Sequence, residues 1–139
     1  MKDKAQVVVI GGGVVGCSVL YHLTKAGCTD VVLLERKELT AGSTWHAAGG
    51  MHTLNGDPNV AALQRYTIKL YEELEELTGV DCGIHLTGEL MLADTEDRLD
   101  WLKMAHARGR YMGMETEIIS TSEAKNLVPF LEEQYFVGA

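Results

Sequence analysis

Three glycines, one carboxylate and one histidine carry the chemistry that can be read from this chain. Gly11, Gly13 and Gly16 stand in the order G-x-G-x-x-G, and Glu35 follows about 20 residues beyond Gly16. The spacing has a mechanical meaning. Gly11 permits a tight turn, Gly13 lets the backbone approach a pyrophosphate, and Gly16 lets a helix pack closely on a strand. A helix starting near Val14 and Val15 would offer free N–H groups and a positive dipole end to phosphate oxygens. Glu35 would accept hydrogen bonds from ribose hydroxyls, and its charge disfavours a 2′-phosphate. Arg36 is placed to contact an adenosine moiety, although a solvated arginine fits equally well. Together these are the parts of a dinucleotide site.

The histidine lies in the stretch GSTWHAAGG, residues 42–50. Small residues at Gly42, Ser43, Ala47, Ala48, Gly49 and Gly50 let the backbone lie against a large flat ligand. Ser43 and Thr44 offer hydroxyls to phosphate or ribitol oxygens. His46 alone in this segment has a nitrogen that is nucleophilic near neutral pH, since the indole of Trp45 only donates. A free imidazole titrates near 6.5, so a neutral ring nitrogen is at hand at neutral pH. Trp45 is expected to pack beside the cofactor. His22, His52, His85 and His106 show no ligand spacing and read as ordinary side chains. The fingerprint fits NAD and FAD alike. An NAD-type unit calls for a short connection and a third βα unit soon after the acid. A long, small-residue loop follows Glu35 instead, which favours FAD.

The elements that must position these groups alternate along the chain. QVVVI (6–10) and DVVLLE (30–35) are β-branched apolar runs suited to strands buried on both faces. Between them, residues 14–26 read as a helix with Val15, Val19, Leu20 and Leu23 on one face and Gly27 as its stop. A polar, glycine-rich loop spans 36–59. Residues 60–78 form the clearest helix, with Leu63, Leu70, Leu74 and Leu77 on one side, a solvated glutamate face opposite, and Gly79 as its end. ELMLA (89–93) reads as a strand and 96–112 as a helix capped by Thr95. EIIS (117–120) is short and extended. Ser120 and Glu123 form a capping box for a helix that Pro129 ends. QYFVGA (134–139) reads as a strand that stops mid-element. The fold class is therefore α/β: a Rossmann-like βαβ unit with additional helices and strands, expected to be truncated. Residues 1–139 read as one N-terminal, FAD-binding part of a larger domain.

Composition narrows the function. The chain of 139 residues is 46% apolar, enough for a core, and carries a net charge of −8. That balance argues against sequence-independent nucleic-acid binding and disfavours an anionic membrane surface. The apolar run at the N-terminus breaks at three glycines, too short for a secretory core or a membrane span. Three cysteines without metal-type spacing fit a reducing compartment.

VVVIGGGVVGCSVLYHLTKAG, VVLLER and ELTAGSTWHAAGG together resemble the N-terminus of the amino-acid-oxidase-type flavoproteins, most of all their dimethylglycine and sarcosine dehydrogenase branch. KLYEELEELTG, TGELMLA and SEAKNLVP extend the resemblance in the same order. In that branch the histidine of the motif is joined covalently to the 8α-methyl carbon of FAD, and His46 occupies the matching position. One position departs: Gly50 stands where a bulky aliphatic residue is expected. The resemblance implies FAD-dependent oxidative N-demethylation of a small methylated amino acid. The substrate loses a hydride equivalent from its N-methyl carbon, and the iminium product is hydrolysed or passes its one-carbon unit to tetrahydrofolate. Oxygen or an electron-transfer flavoprotein would be the acceptor. It also implies that the catalytic acid or base, the substrate site and any folate module lie beyond residue 139. The setting would be the cytoplasm of a bacterial-type cell, or the mitochondrial matrix for a eukaryotic chain whose transit peptide has been removed. Two other readings stay open: an NAD-dependent dehydrogenase and a non-catalytic dinucleotide-binding fragment.

Overall fold

The computed structural model describes residues 3–139 and divides them into two compact units, Met1–Gly50 and Met51–Ala139. The first unit is a βαβ motif. Strand β1 (Val7–Ile10) leads through a glycine turn into helix α1 (Val14–Lys25), and strand β2 (Val31–Leu34) returns parallel to β1. Val7 pairs with Val31 and Ile10 with Leu34. A parallel pair needs a crossover helix, which α1 supplies. The N–H of Gly11 extends the ladder by one bond, to the Leu34 carbonyl at 2.8 Å. Gly27, at φ 90°, closes the helix as expected, because a left-handed residue there lets the N–H groups of Ala26 and Gly27 turn back onto His22 and Thr24.

The expected inward face of α1 is partly wrong. Val15 is 74% and Val19 43% exposed, whereas Leu20 and Leu23 are half-buried. The helix is apolar almost all round, so periodicity could not choose a face. Gly16 chooses it: a Cβ there would collide with the Gly11 carbonyl oxygen. The glycine must face the turn; Leu20 and Leu23 share its side of the helix, Val19 lies at the margin and Val15 a quarter-turn away.

The second unit is helical. Helix α2 (Pro58–Thr78) begins two residues before its expected start, because Asp57 accepts the N–H groups of Asn59 (2.7 Å) and Val60 (3.1 Å) and Pro58 fits the first turn. Gly79, at φ 68°, ends it. Helix α3 (Glu96–Tyr111) is capped by Thr95, whose hydroxyl accepts the Arg98 N–H at 3.2 Å. Acids in its first turn and arginines in its last complement the dipole. Helix α4 (Thr121–Leu127) carries the Ser120–Glu123 capping box. The buried apolar residues are mostly small: Ala61, Leu70, Ala93, Leu102, Ala105, Ala124 and Ala139. On α2, Leu70 is buried, but Leu63 and Leu77 are largely exposed, so the leucine stripe is only partly covered.

Three expected strands shrink to one or two pairings each. Of ELMLA only Ala93 pairs, antiparallel to Gly138. From EIIS, Ile119 exchanges both backbone hydrogen bonds with Ala139, at 2.9 and 3.1 Å. Part of the 134–139 segment is a 3₁₀ turn, Glu133–Tyr135, leaving only its last residues extended. A ladder needs partners along its length, and each of these segments finds one or two paired positions.

Candidate dinucleotide and flavin site

The glycine turn, Glu35 and the histidine loop all belong to the first unit. Gly11 sits at φ 106°, a conformation strongly unfavourable for any residue with a Cβ. The peptide at Gly12, a position the fingerprint leaves open, is held on both sides. Its N–H donates to Glu35 Oε2 at 2.6 Å. Its carbonyl accepts the Thr40 N–H at 2.9 Å and the Cys17 Sγ–H at 3.6 Å. A Cβ at residue 12 would lie 2.6 Å from Leu39 Cδ2 and 3.0 Å from Glu35 Cβ, so this fourth glycine leaves room for both side chains. Its contact with Glu35 spans the two strand ends, and no local rule announces it.

Glu35 was expected to face ribose hydroxyls. Its other oxygen accepts the Lys37 N–H at 2.9 Å, so both carboxylate oxygens are already bonded to backbone. A carboxylate oxygen takes more than one donor, and each still has capacity for a hydroxyl. The Gly12 N–H first, then that of Lys37, hold the carboxyl below the usual glutamate range. Arg36 is exposed and adds a smaller attraction in the same direction.

The helix start differs from the expectation of free N–H groups. The Val14 N–H donates to Thr44 Oγ1 at 3.0 Å, so the histidine loop itself closes the first position of α1. Gly13 supplies no side-chain cap. Residues 40–47 coil into a tight turn: Trp45 N–H reaches the Thr40 and Gly42 carbonyls, His46 N–H reaches Ser43, and Ala47 N–H reaches Thr44. Thr40 enters that turn at φ 64° and is the one non-glycine left-handed residue among those described. A β-branched residue there costs about 1–3 kcal/mol and persists only where its surroundings impose it. Thr40 gave no sequence signal.

His46 is exposed on this turn, with Nδ1 3.0 Å from the Gly42 carbonyl oxygen. A carbonyl only accepts, so Nδ1 carries the hydrogen and Nε2 of the neutral ring keeps its lone pair. Trp45 is 78% exposed. Ser43, Ala48, Gly49 and Gly50 are also exposed, and Gly49 adopts φ 78°. Turn, acid and histidine loop are therefore joined by direct hydrogen bonds, Gly12 to Glu35 and to Thr40 and Val14 to Thr44.

A family model described as FAD dependent oxidoreductase matches residues 6–139. The chain belongs to this family. Among its relatives, rat mitochondrial dimethylglycine dehydrogenase is 48% identical over 130 residues, covering 94% of this chain and 15% of the relative. Human mitochondrial sarcosine dehydrogenase is 43% identical, covering 99% and 15%. The mouse mitochondrial pyruvate dehydrogenase phosphatase regulatory subunit is also 43% identical, covering 100% and 16%. The crystal structure of L-proline dehydrogenase from P. horikoshii superposes with a TM-score of 0.88 at 26% identity, over 99% of this chain and 36% of that one. The chain thus spans about 15% of the length of these mitochondrial relatives. Membership of an FAD dependent oxidoreductase family favours FAD over NAD as the dinucleotide.

In the second unit, His52, His85 and His106 line a cleft of about 580 Å³. His106 Nδ1 lies 2.8 Å from Thr116 Oγ1, and His52 Nε2 lies 3.5 Å from Gln64 Nε2. Among the described residues no cluster of His, Cys, Asp or Glu could hold a metal. No helix of the described residues is long and apolar enough to cross a membrane.

Proposed function

We propose that this chain supplies the FAD-binding portion of an oxidoreductase that oxidises the N-methyl carbon of a small amino acid such as dimethylglycine or sarcosine, with His46 as the point of covalent attachment. The observation that carries the reading is the Nδ1–Gly42 hydrogen bond, which leaves Nε2 of an exposed imidazole free to react. The residues present fit the cofactor. Gly13 lets the backbone approach its pyrophosphate, Gly11 makes the turn and Gly16 the close helix packing that place it there, with the first turn of α1 (Val14, Val15) behind them. Glu35, with Arg36 beside it, faces the adenosine ribose. Gly42, Ser43, Thr44, Ala48, Gly49 and Gly50 flank the flavin portion. FAD, when bound, supplies the two-electron redox chemistry. The chain's own groups bind, orient and tether. Oxygen or an electron-transfer flavoprotein would take the electrons, and tetrahydrofolate the one-carbon unit.

The test is mass spectrometry of the denatured full-length protein. The expected result is a mass raised by one flavin, mapped to the peptide containing STWHAAGG. His46→Ala should bind FAD only noncovalently while keeping the fold, because an exposed loop side chain contributes little to the core. An unmodified mass in a sample that is yellow when native would show the histidine to be only a neighbour of the ring. A second reading, a flavin-binding regulatory subunit without turnover, is favoured by the 43% identity to the mouse regulatory subunit. Absence of turnover with every N-methylated amino acid tried, in a fully flavinylated protein, would select it.

A further inference from the structure

We propose that the hydroxyl of Thr44 is a positioning residue that fastens the His46 loop to the glycine turn, so that one contact sets both the anion-binding end of α1 and the placement of the imidazole. The inference rests on the FAD reading above. Three observations converge on it. Thr44 Oγ1 accepts the Val14 N–H at 3.0 Å, a contact across 30 residues of sequence. Thr44 is the one half-buried residue of 42–50, whose other members are exposed. A Cβ on Gly13 would sit 3.0 Å from the same oxygen, so the second glycine of the fingerprint also makes room for this hydroxyl.

The chemistry of the group follows. A hydroxyl that accepts one N–H keeps its own hydrogen to donate. At the start of a helix, where the dipole favours an anion, that hydrogen is available to a phosphate oxygen. Thr44 then belongs to the phosphate end and to the histidine turn together. The turn is stiff: the N–H groups of residues 45, 46 and 47 each return to a carbonyl three residues before. A second fastening, the Thr40 N–H on the Gly12 carbonyl at 2.9 Å, holds the other end of the loop and imposes the left-handed backbone at Thr40. Displacing Thr44 would leave the loop attached at one end only, with His46 two residues from the loose side.

The experiment compares Thr44→Val, which keeps the shape and loses the hydroxyl, with Thr44→Ser, which keeps the hydroxyl. Full-length apoprotein is mixed with FAD, and covalent incorporation is followed by mass spectrometry of denatured samples. FAD affinity is measured separately in the His46→Ala background, with and without Thr44→Val. The expected result is incorporation at least tenfold slower in Thr44→Val, restored in Thr44→Ser, with affinity reduced by a smaller factor. Incorporation at the wild-type rate in Thr44→Val overturns the proposal, as does a loss of affinity equal to the loss of rate. If wild-type protein forms no adduct, the attachment reading alone has failed. Thr44 is then judged by hydrogen exchange of the amides of residues 45–47. FAD should protect them in wild-type and Thr44→Ser but not in Thr44→Val, and equal protection in all three overturns the inference.

Discussion

At the scale of residues, Glu35 holds the glycine turn before any ligand arrives. Its carboxylate must be ionised to accept two backbone N–H groups, which is why its pKa lies below the usual range. The direction fixes the pH dependence. A carboxyl with a depressed folded pKa contributes stability above its unfolded value, about 4.3, and loses it as pH falls through the folded value. Glu35→Gln removes the charge and replaces one acceptor with an amide donor. We expect its acid unfolding curve to be flatter than wild-type below about pH 4.3, measured by circular dichroism. FAD should be held about tenfold more weakly in a His46→Ala background, measured by fluorescence titration. Unchanged affinity would mean that the carboxylate serves only the turn. His46 makes the complementary point. Its motif was visible in the sequence, but which ring nitrogen keeps its lone pair was not, because the Gly42 carbonyl decides it through the shape of a loop.

Most element ends were readable where one residue acts on another three or four places away. Thr95, Gly79 and the Ser120–Glu123 box were all found in that way. Asp57 followed by Pro58 is an equally local signal, and the start of α2 was still placed two residues late. Longer reach was not readable. The Glu35–Gly12 and Val14–Thr44 contacts join residues 23 and 30 positions apart, and nothing in composition or period announces them. Strands at 89–93 and 134–139 failed for a related reason, since strand propensity yields a ladder only beside a full-length partner. Two substitutions test the element scale. Gly16→Ala places a methyl against the Gly11 carbonyl and should destabilise the first unit by about 1–3 kcal/mol, with loss of FAD binding. Gly79→Ala, at φ 68°, should cost about 1 kcal/mol and lower the melting temperature without touching FAD affinity. Both are read by thermal denaturation with and without FAD.

For the whole molecule, the contrast is between a well-bonded first unit and thinly covered apolar surfaces. Ile10 is 86% and Phe130 88% exposed, and no large side chain among the described residues is fully buried. Cores built from alanines bury little area, and stability follows area. Residues 1–139 expressed alone should therefore melt broadly, bind a hydrophobic dye, and show no turnover of dimethylglycine or sarcosine with FAD added. A sharp melting transition or measurable turnover would contradict this.

The parallel pairing of Val7 with Val31 bears on how the protein is made. A closure of about 24 residues costs roughly 3 kcal/mol of chain entropy beyond a constant, little for a parallel sheet. The glycine turn, Glu35 and the histidine loop all lie within the unit that ends at Gly50. At about 5–20 residues per second, a ribosome synthesises that stretch in under about ten seconds. The glycine turn and the two segments hydrogen-bonded to it can thus assemble while the rest of the chain is still being synthesised. FAD supplied during translation should raise the yield of folded protein more than FAD added afterwards, a difference that cell-free synthesis with timed cofactor addition would reveal.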